Sequence, residues 1–152
     1  MTARKFGGRL LCITVVVVLA YCFGQARLSP QTNAASEGAS GNADRVVAAA
    51  VAAQQSNVAI QGMGKVIRLL PDDQRGSRHQ RFLLRLPSGI TLLVAHNIDL
   101  APRLDALRAG DSLRFAGEYV WNDRGGVLHW THRAPDGHHR DGWLELAGRR
   151  YQ

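Results

Sequence analysis

The chain has 152 residues, enough for one domain with appendages, since domains cluster near about 100–150 residues. Its formal net charge of +7 falls to +4 once Arg4, Lys5 and Arg9 of the N-terminal leader are set aside, a mild bias that permits an anionic partner without requiring one. Both cysteines, Cys12 and Cys22, lie in the apolar N-terminal segment, which excludes a disulfide framework and a cysteine metal site from the rest of the chain.

Residues 1–9 carry three positive charges and no acid, residues 10–23 are uncharged and apolar, and Gly24 and Ala26 place small residues at a cleavage position. That order reads as a secretory signal. A spanning helix takes about 20 apolar residues, and this run is shorter. Residues 1–26 are therefore expected to be a signal peptide or an uncleaved membrane anchor. The protein is expected to be exported, periplasmic or secreted, or held in the inner membrane by residues 10–26, with membrane contact only through that segment. Residues 27–42, rich in Ser, Ala, Asn, Gln and Gly, read as a flexible linker. Residues 43–57 are Ala-rich, carry Asp44 near their start and place Val46, Val47 and Val51 near one face, which predicts a short helix.

From residue 58 the pattern changes to short strands. Residues 58–70 alternate and contain Gly62 and Gly64, where a strand can bend; residues 71–77 are a loop by composition. In residues 79–86, Phe82, Leu84 and Leu86 share one face, and a turn at Pro87, Ser88 and Gly89 leads into an apolar strand over 90–96. Residues 97–110 predict a helix of about two turns, with Pro102 in its first turn, Leu104 and Leu107 on one face and Gly110 at its end. Residues 111–121 alternate again, residues 122–126 (NDRGG) make a hairpin loop, and 127–132 return as the partner strand. Residues 143–146 and 149–152 read as a terminal hairpin. Strand, strand, strand, short helix, strand, strand is the order of a small five-stranded OB-like barrel, so the chain is expected to be mainly β, with residues 58–152 as the domain. A small sandwich or another barrel is the alternative.

Four separated motifs, RHQR at 78–81, AHNID at 95–99, GEYVW at 117–121 and HWTH at 129–132, make the chain similar to a bacterial family of small exported domains of unknown function marked by an HWTH motif. The likeness covers residues 62–152. It implies a single exported domain and assigns no catalytic residue.

Two sets of residues carry chemistry. Arg75, Arg78, Arg81, Arg85 and Arg124, with Trp121, fall on the loops and strands that form the binding groove of an OB barrel, where arginine meets phosphate bidentately and an indole stacks on a base or sugar. An arginine-rich chain also places arginines on every exposed strand face, which is the plain structural alternative. The second set is His129, His132, Asp136, His138, His139 and Asp141, a density that fits a divalent transition metal such as zinc or copper. On a continuous strand His129 and His132 point to opposite faces, so they chelate one ion only if the strand ends between them. Otherwise these rings order a long loop. His79, His96 and Asn97 sit at strand ends, where they satisfy loop backbone or join His129 in a polar cluster. Trp121, Trp130, Trp143, Tyr119 and Phe115 read as core and hairpin packing. The leading expectation is a non-enzymatic OB-like binding module for an anionic or polar polymer, oligonucleotide or glycan, at the cell envelope. The competing one is a metal-binding protein or metal-dependent hydrolase using the His-rich region.

Overall fold

The computed structural model describes residues 34–152, with side chains described from residue 41 onward. The signal or anchor segment, both cysteines and residues 27–33 of the expected linker lie outside the described residues. The order is a helix α1 (Ala34–Ala52), then β1 (Val58–Asp73), β2 (His79–Arg85), β3 (Thr91–Asn97), β4 (Ser112–Val120), β5 (Val127–His129), β6 (Trp143–Leu146) and β7 (Arg149–Tyr151). Among the described residues no helix is long and apolar enough to cross a membrane.

Five strands close a ring. β1 is long enough to serve two neighbours. Its first half pairs antiparallel with β4 from Val58↔Tyr119 to Lys65↔Ser112, and its second half pairs with β2 from Lys65↔Arg85 to Asp73↔His79. The changeover falls at Lys65, next to Gly64, and irregularities between Val66 and Arg68 and between Leu70 and Asp73 bend the strand further. β2 pairs with β3, β3 runs parallel to β5, and β5 pairs back with β4, giving the cyclic order β1-β2-β3-β5-β4. This is the order of an OB barrel. Beyond the ring, β6 pairs with the first half of β4, and β7 completes a hairpin on it.

The period-2 pattern decides which side chains fill the barrel. Phe82 and Leu84 from β2, Leu92 and Val94 from β3, Leu113, Phe115 and Tyr119 from β4, and Leu128 from β5 are all fully buried. Each such side chain contributes about 1.5–3 kcal/mol by leaving water. α1 lays Ala43, Val47 and Ala50 on this core, with Val46 and Val51 partly buried at its margin. Gly62 permits that docking, because a Cβ there would collide with the Ala43 Cβ. The helix thus begins at Ala34, inside the expected linker, and ends at Ala52, before the expected limit.

The expected helix at 97–110 is absent; the segment is a series of turns. Side chains from two strands take the backbone groups a helix would use. The Gln80 amide is buried and bonds Leu104 twice, donating to its carbonyl at 3.1 Å and accepting from its N–H at 2.9 Å. The Pro102 carbonyl accepts from His96 Nε2 at 3.2 Å. Leu104 and Leu107 are buried as expected, but as separate anchors of a loop. Among the described residues the short helix of the fold is α1 alone.

Candidate binding groove

The outward faces of β2, β3 and β5 form the site. Inward residues alternate with His79 and Arg81 on β2, Leu93 and Ala95 on β3, and Val127 and His129 on β5, all half-buried. Register places Arg81 opposite Ala95, and His129 opposite Glu118 of β4. Ala95 is small, so a depression of about 400 Å³ opens there, walled by Asp73, His79, Arg81 and His129. It continues past His79, Ala95 and His129 into a second hollow of about 300 Å³ bounded by Asn97, Leu100, Trp130 and His132. Leu100, Trp130 and His132 carry it into a third of about 360 Å³, ending at Pro135, Asp136, His138 and His139. The three are one continuous groove. A separate depression of about 310 Å³ lies between α1 and the β1–β4 pair and gathers no aromatic ring.

β5 stops at His129, short of the expected end at 132. Trp130 adopts a left-handed backbone with φ of +51°, which a bulky residue occupies only under tertiary constraint. The constraint is visible: Gly142 lies so close to the Trp130 carbonyl that any side chain there would overlap it. The Gly142 N–H also donates to the His132 carbonyl at 2.8 Å, closing the 132–142 loop at its base. The turn sends Thr131 and His132 inward and leaves Trp130 36% exposed. Trp130, expected in the core, is instead an open wall of the groove. The residue types alone gave no signal of this, because it depends on the turn after His129.

Around Trp130 the rings crowd. His139 stacks on it with centroids 4.2 Å apart, His129 is tilted at 4.9 Å and His132 meets its edge at 5.8 Å. Their protons are assigned by what their nitrogens meet. His79 Nδ1 faces the Ser77 carbonyl at 2.7 Å, His132 Nδ1 the Arg133 carbonyl at 2.6 Å and His139 Nδ1 the Arg140 carbonyl at 2.7 Å. A carbonyl only accepts, so each Nδ1 donates and each Nε2 keeps its lone pair. His129 Nε2 is buried without a hydrogen bond and lies 3.5 Å from Glu118 Oε1. Burial lowers the His129 pKa against the opposing pull of Glu118, and burial likewise lowers that of His132. Both rings are neutral near pH 7.

His96 is a structural residue. It is fully buried, and its Nε2 donates to Pro102, so its Nδ1 accepts from Thr131 Oγ1 at 2.8 Å. Desolvation pushes its pKa down to about 4, holding it neutral. It ties β3, the 98–110 loop and the turn after β5 together beneath the groove. Asn97 accepts from the Asp99 N–H at 2.9 Å and lines the groove above.

The arginine set disperses. Only Arg81 lines the groove; its Nε donates to the Pro71 carbonyl at 3.0 Å and its guanidinium lies 3.9 Å from Asp73. Arg78 is held by Asp99 at 2.6 Å, which keeps that carboxyl below its ordinary pKa. Arg85 lies on another surface, beside Met63, Lys65 and Pro87. Arg75 and Arg124 are exposed in their loops, and Trp121 packs against the edge of the core. The metal set is also divided. Asp141 accepts from the Ala134 N–H at 2.9 Å and clasps the loop, and Asp136 pairs with His138 at 3.5 Å on an exposed tip. Among the described residues no three His, Cys, Asp or Glu side chains gather to hold a metal ion.

No curated protein matches this sequence. The match that places it is to a family model spanning residues 32–152, which takes in α1, the barrel and every wall of the groove. The chain belongs to DUF3465, a family of proteins of unknown function.

Proposed function

We propose that this is an exported, non-enzymatic binding module of the cell envelope that holds a polar polymer, oligonucleotide or glycan, along the β2–β3–β5 face. One observation carries the reading: a continuous groove in which a half-exposed tryptophan stands among imidazoles. Indole supplies a flat apolar surface for a ring, and the imidazoles and Arg81 supply hydrogen bonds to the ring's polar edge. Strands 2 and 3 of an OB barrel are a common ligand face, and the groove crosses them. Export is supported by the charged, apolar, small-residue order of residues 1–26. Cell fractionation followed by N-terminal sequencing tests export: a start at Arg27 means cleavage, an intact leader in the membrane fraction means an anchor, and a cytosolic protein removes the envelope from the proposal.

Binding is tested by titrating the purified protein with a panel of single-stranded oligonucleotides, anionic glycans and neutral glycans, read by tryptophan fluorescence and calorimetry. Binding by any class that is lost in Trp130→Ala supports the groove. Binding untouched by Trp130→Ala and Arg81→Ala together moves the site elsewhere, and no binding by any class removes the reading. A second reading, a metal-binding protein, is favoured by the three imidazoles whose Nδ1–H is held by a carbonyl, the orientation that metal-ligating histidines commonly have. Elemental analysis of untagged protein decides it: about one zinc or copper per chain would put the metal first.

A further inference from the structure

The groove's hydrogen-bonding pattern separates the two polymer classes. Its walls are rich in acceptors. His79 and His139 each keep an Nε2 lone pair, because their Nδ1 protons are spent on the Ser77 and Arg140 carbonyls, whereas His132 is itself buried. Asp73 and Asp136 add carboxylates at the two ends. Glu118 stands behind His129, and a proton on Nε2 facing that carboxylate leaves Nδ1 as a further acceptor. The one fixed cation among the lining residues is Arg81, and Asp73 lies 3.9 Å from it. Arg78, the nearest other guanidinium in the sequence, is turned to Asp99.

A phosphodiester is a poor match. It offers acceptors and no donors along its backbone, and its affinity comes from cations that release counterions. A polyol is the complement, since every hydroxyl donates, and the less polar face of a pyranose covers an indole. From this geometry we infer that the ligand of the groove is a neutral glycan, with one sugar ring on Trp130 and neighbouring hydroxyls donated to His79 and His129. The inference rests on the groove reading above and narrows it. His139 now occupies the stacking position on Trp130 and belongs to an exposed loop, so a sugar ring takes its place or packs beside it.

The test is calorimetric titration of the purified protein with an N-acetylglucosamine tetramer, cellotetraose and maltotetraose, set against an eight-nucleotide oligothymidylate. At least one neutral tetramer is expected to bind with a Kd between about 10 µM and 1 mM. That affinity should change less than about twofold between 50 and 200 mM salt, where a phosphate ligand making several contacts would lose far more. Trp130→Ala and His79→Phe should each weaken it at least about tenfold, with Arg85→Ala, on another surface, as the control. Thermal denaturation of each variant establishes that the fold survives. Oligothymidylate binding that depends on Trp130 and on salt, with no tetramer bound, overturns the glycan inference and leaves the groove standing. Absence of binding by all four probes at about 10 mM overturns both. Tetramer binding that Trp130→Ala leaves intact overturns the assignment of this groove.

Discussion

Trp143 and Trp130 belong to the same small domain and have opposite surroundings. Trp143, on β6, is 9% exposed and has guanidinium groups over its ring, Arg150 at 4.2 Å and Arg114 at 5.7 Å. Glu145 joins both arginines, at 3.3 and 2.8 Å. Each charge in that cluster has an answering charge within it. Trp130 is more exposed and strained at its backbone, and it stands among imidazoles with acceptor nitrogens. A cluster whose groups satisfy one another supports the fold. A cluster of stacked rings along a groove, with imidazole nitrogens that accept, is where the proposed ligand would sit.

The sharpest break of that comparison is a pair of truncations read by urea denaturation. Trp143→Ala is expected to cost about 3–5 kcal/mol, because it empties a packed site and removes the ring beneath two guanidinium groups. Trp130→Ala should cost less than about 1 kcal/mol, since its ring is already partly in water. Equal losses would make Trp130 a packing residue and remove its claim to the groove.

The floor beneath Trp130 gives the next effect. His96 has an ordinary pKa of 6.5 when unfolded and about 4 when folded, so between those values the unfolded chain binds the extra proton. Stability is complete above pH 6.5, falls as pH drops toward 4 and levels off below, a loss of about 3 kcal/mol. His129 and His132 push in the same direction. Denaturation midpoints across that range should show the slope, and His96→Gln should flatten most of it. A slope that persists in His96→Gln would assign it to the groove histidines instead. Smaller again is Gln80→Ala, which leaves the Leu104 N–H and carbonyl buried and unpaired and should cost about 2–3 kcal/mol. Amide exchange should then accelerate over 98–110, where a self-supporting helix would have been insensitive.

That loop also marks where the sequence stops being readable. The barrel strands were legible because alternation is local: Phe82, Leu84 and Leu86 face inward whatever surrounds them, and residues 122–126 turn by their own composition. Leu104 and Leu107 were legible as buried, but their helical spacing carried no information about Gln80 and His96, which are remote in sequence and claim the backbone. The start of α1 was hidden because Ser and Gly residues near 36–41 match a linker by composition. Arg81 was expected on an outward strand face and His79 at a strand end, and both line the groove. The pairing of Glu118 with His129 was not legible, because it needs the β4–β5 register. Trp130 was misplaced because one left-handed residue reverses the faces of everything after it.

That left-handed residue supplies the smallest and most specific test. Trp130→Ala and Trp130→Gly lose the same ring and differ chiefly in the backbone they prefer. At φ of +51° alanine carries a steric cost that glycine does not, about 1 kcal/mol, partly offset by glycine's greater freedom when unfolded. Glycine is therefore expected to match or exceed alanine in stability, by up to about 1 kcal/mol, whereas in an ordinary strand it would fall about 0.5–1 kcal/mol below. The turn is imposed from outside, by Gly142 against the Trp130 carbonyl and by the His132–Gly142 closure, so it should survive either substitution. If alanine proves the more stable, the strand continues past His129 in solution, His132 moves to the opposite face, and the groove loses the histidine that joins its second hollow to its third. Under the groove proposal, the left-handed backbone at Trp130 holds the indole where a ligand would meet it.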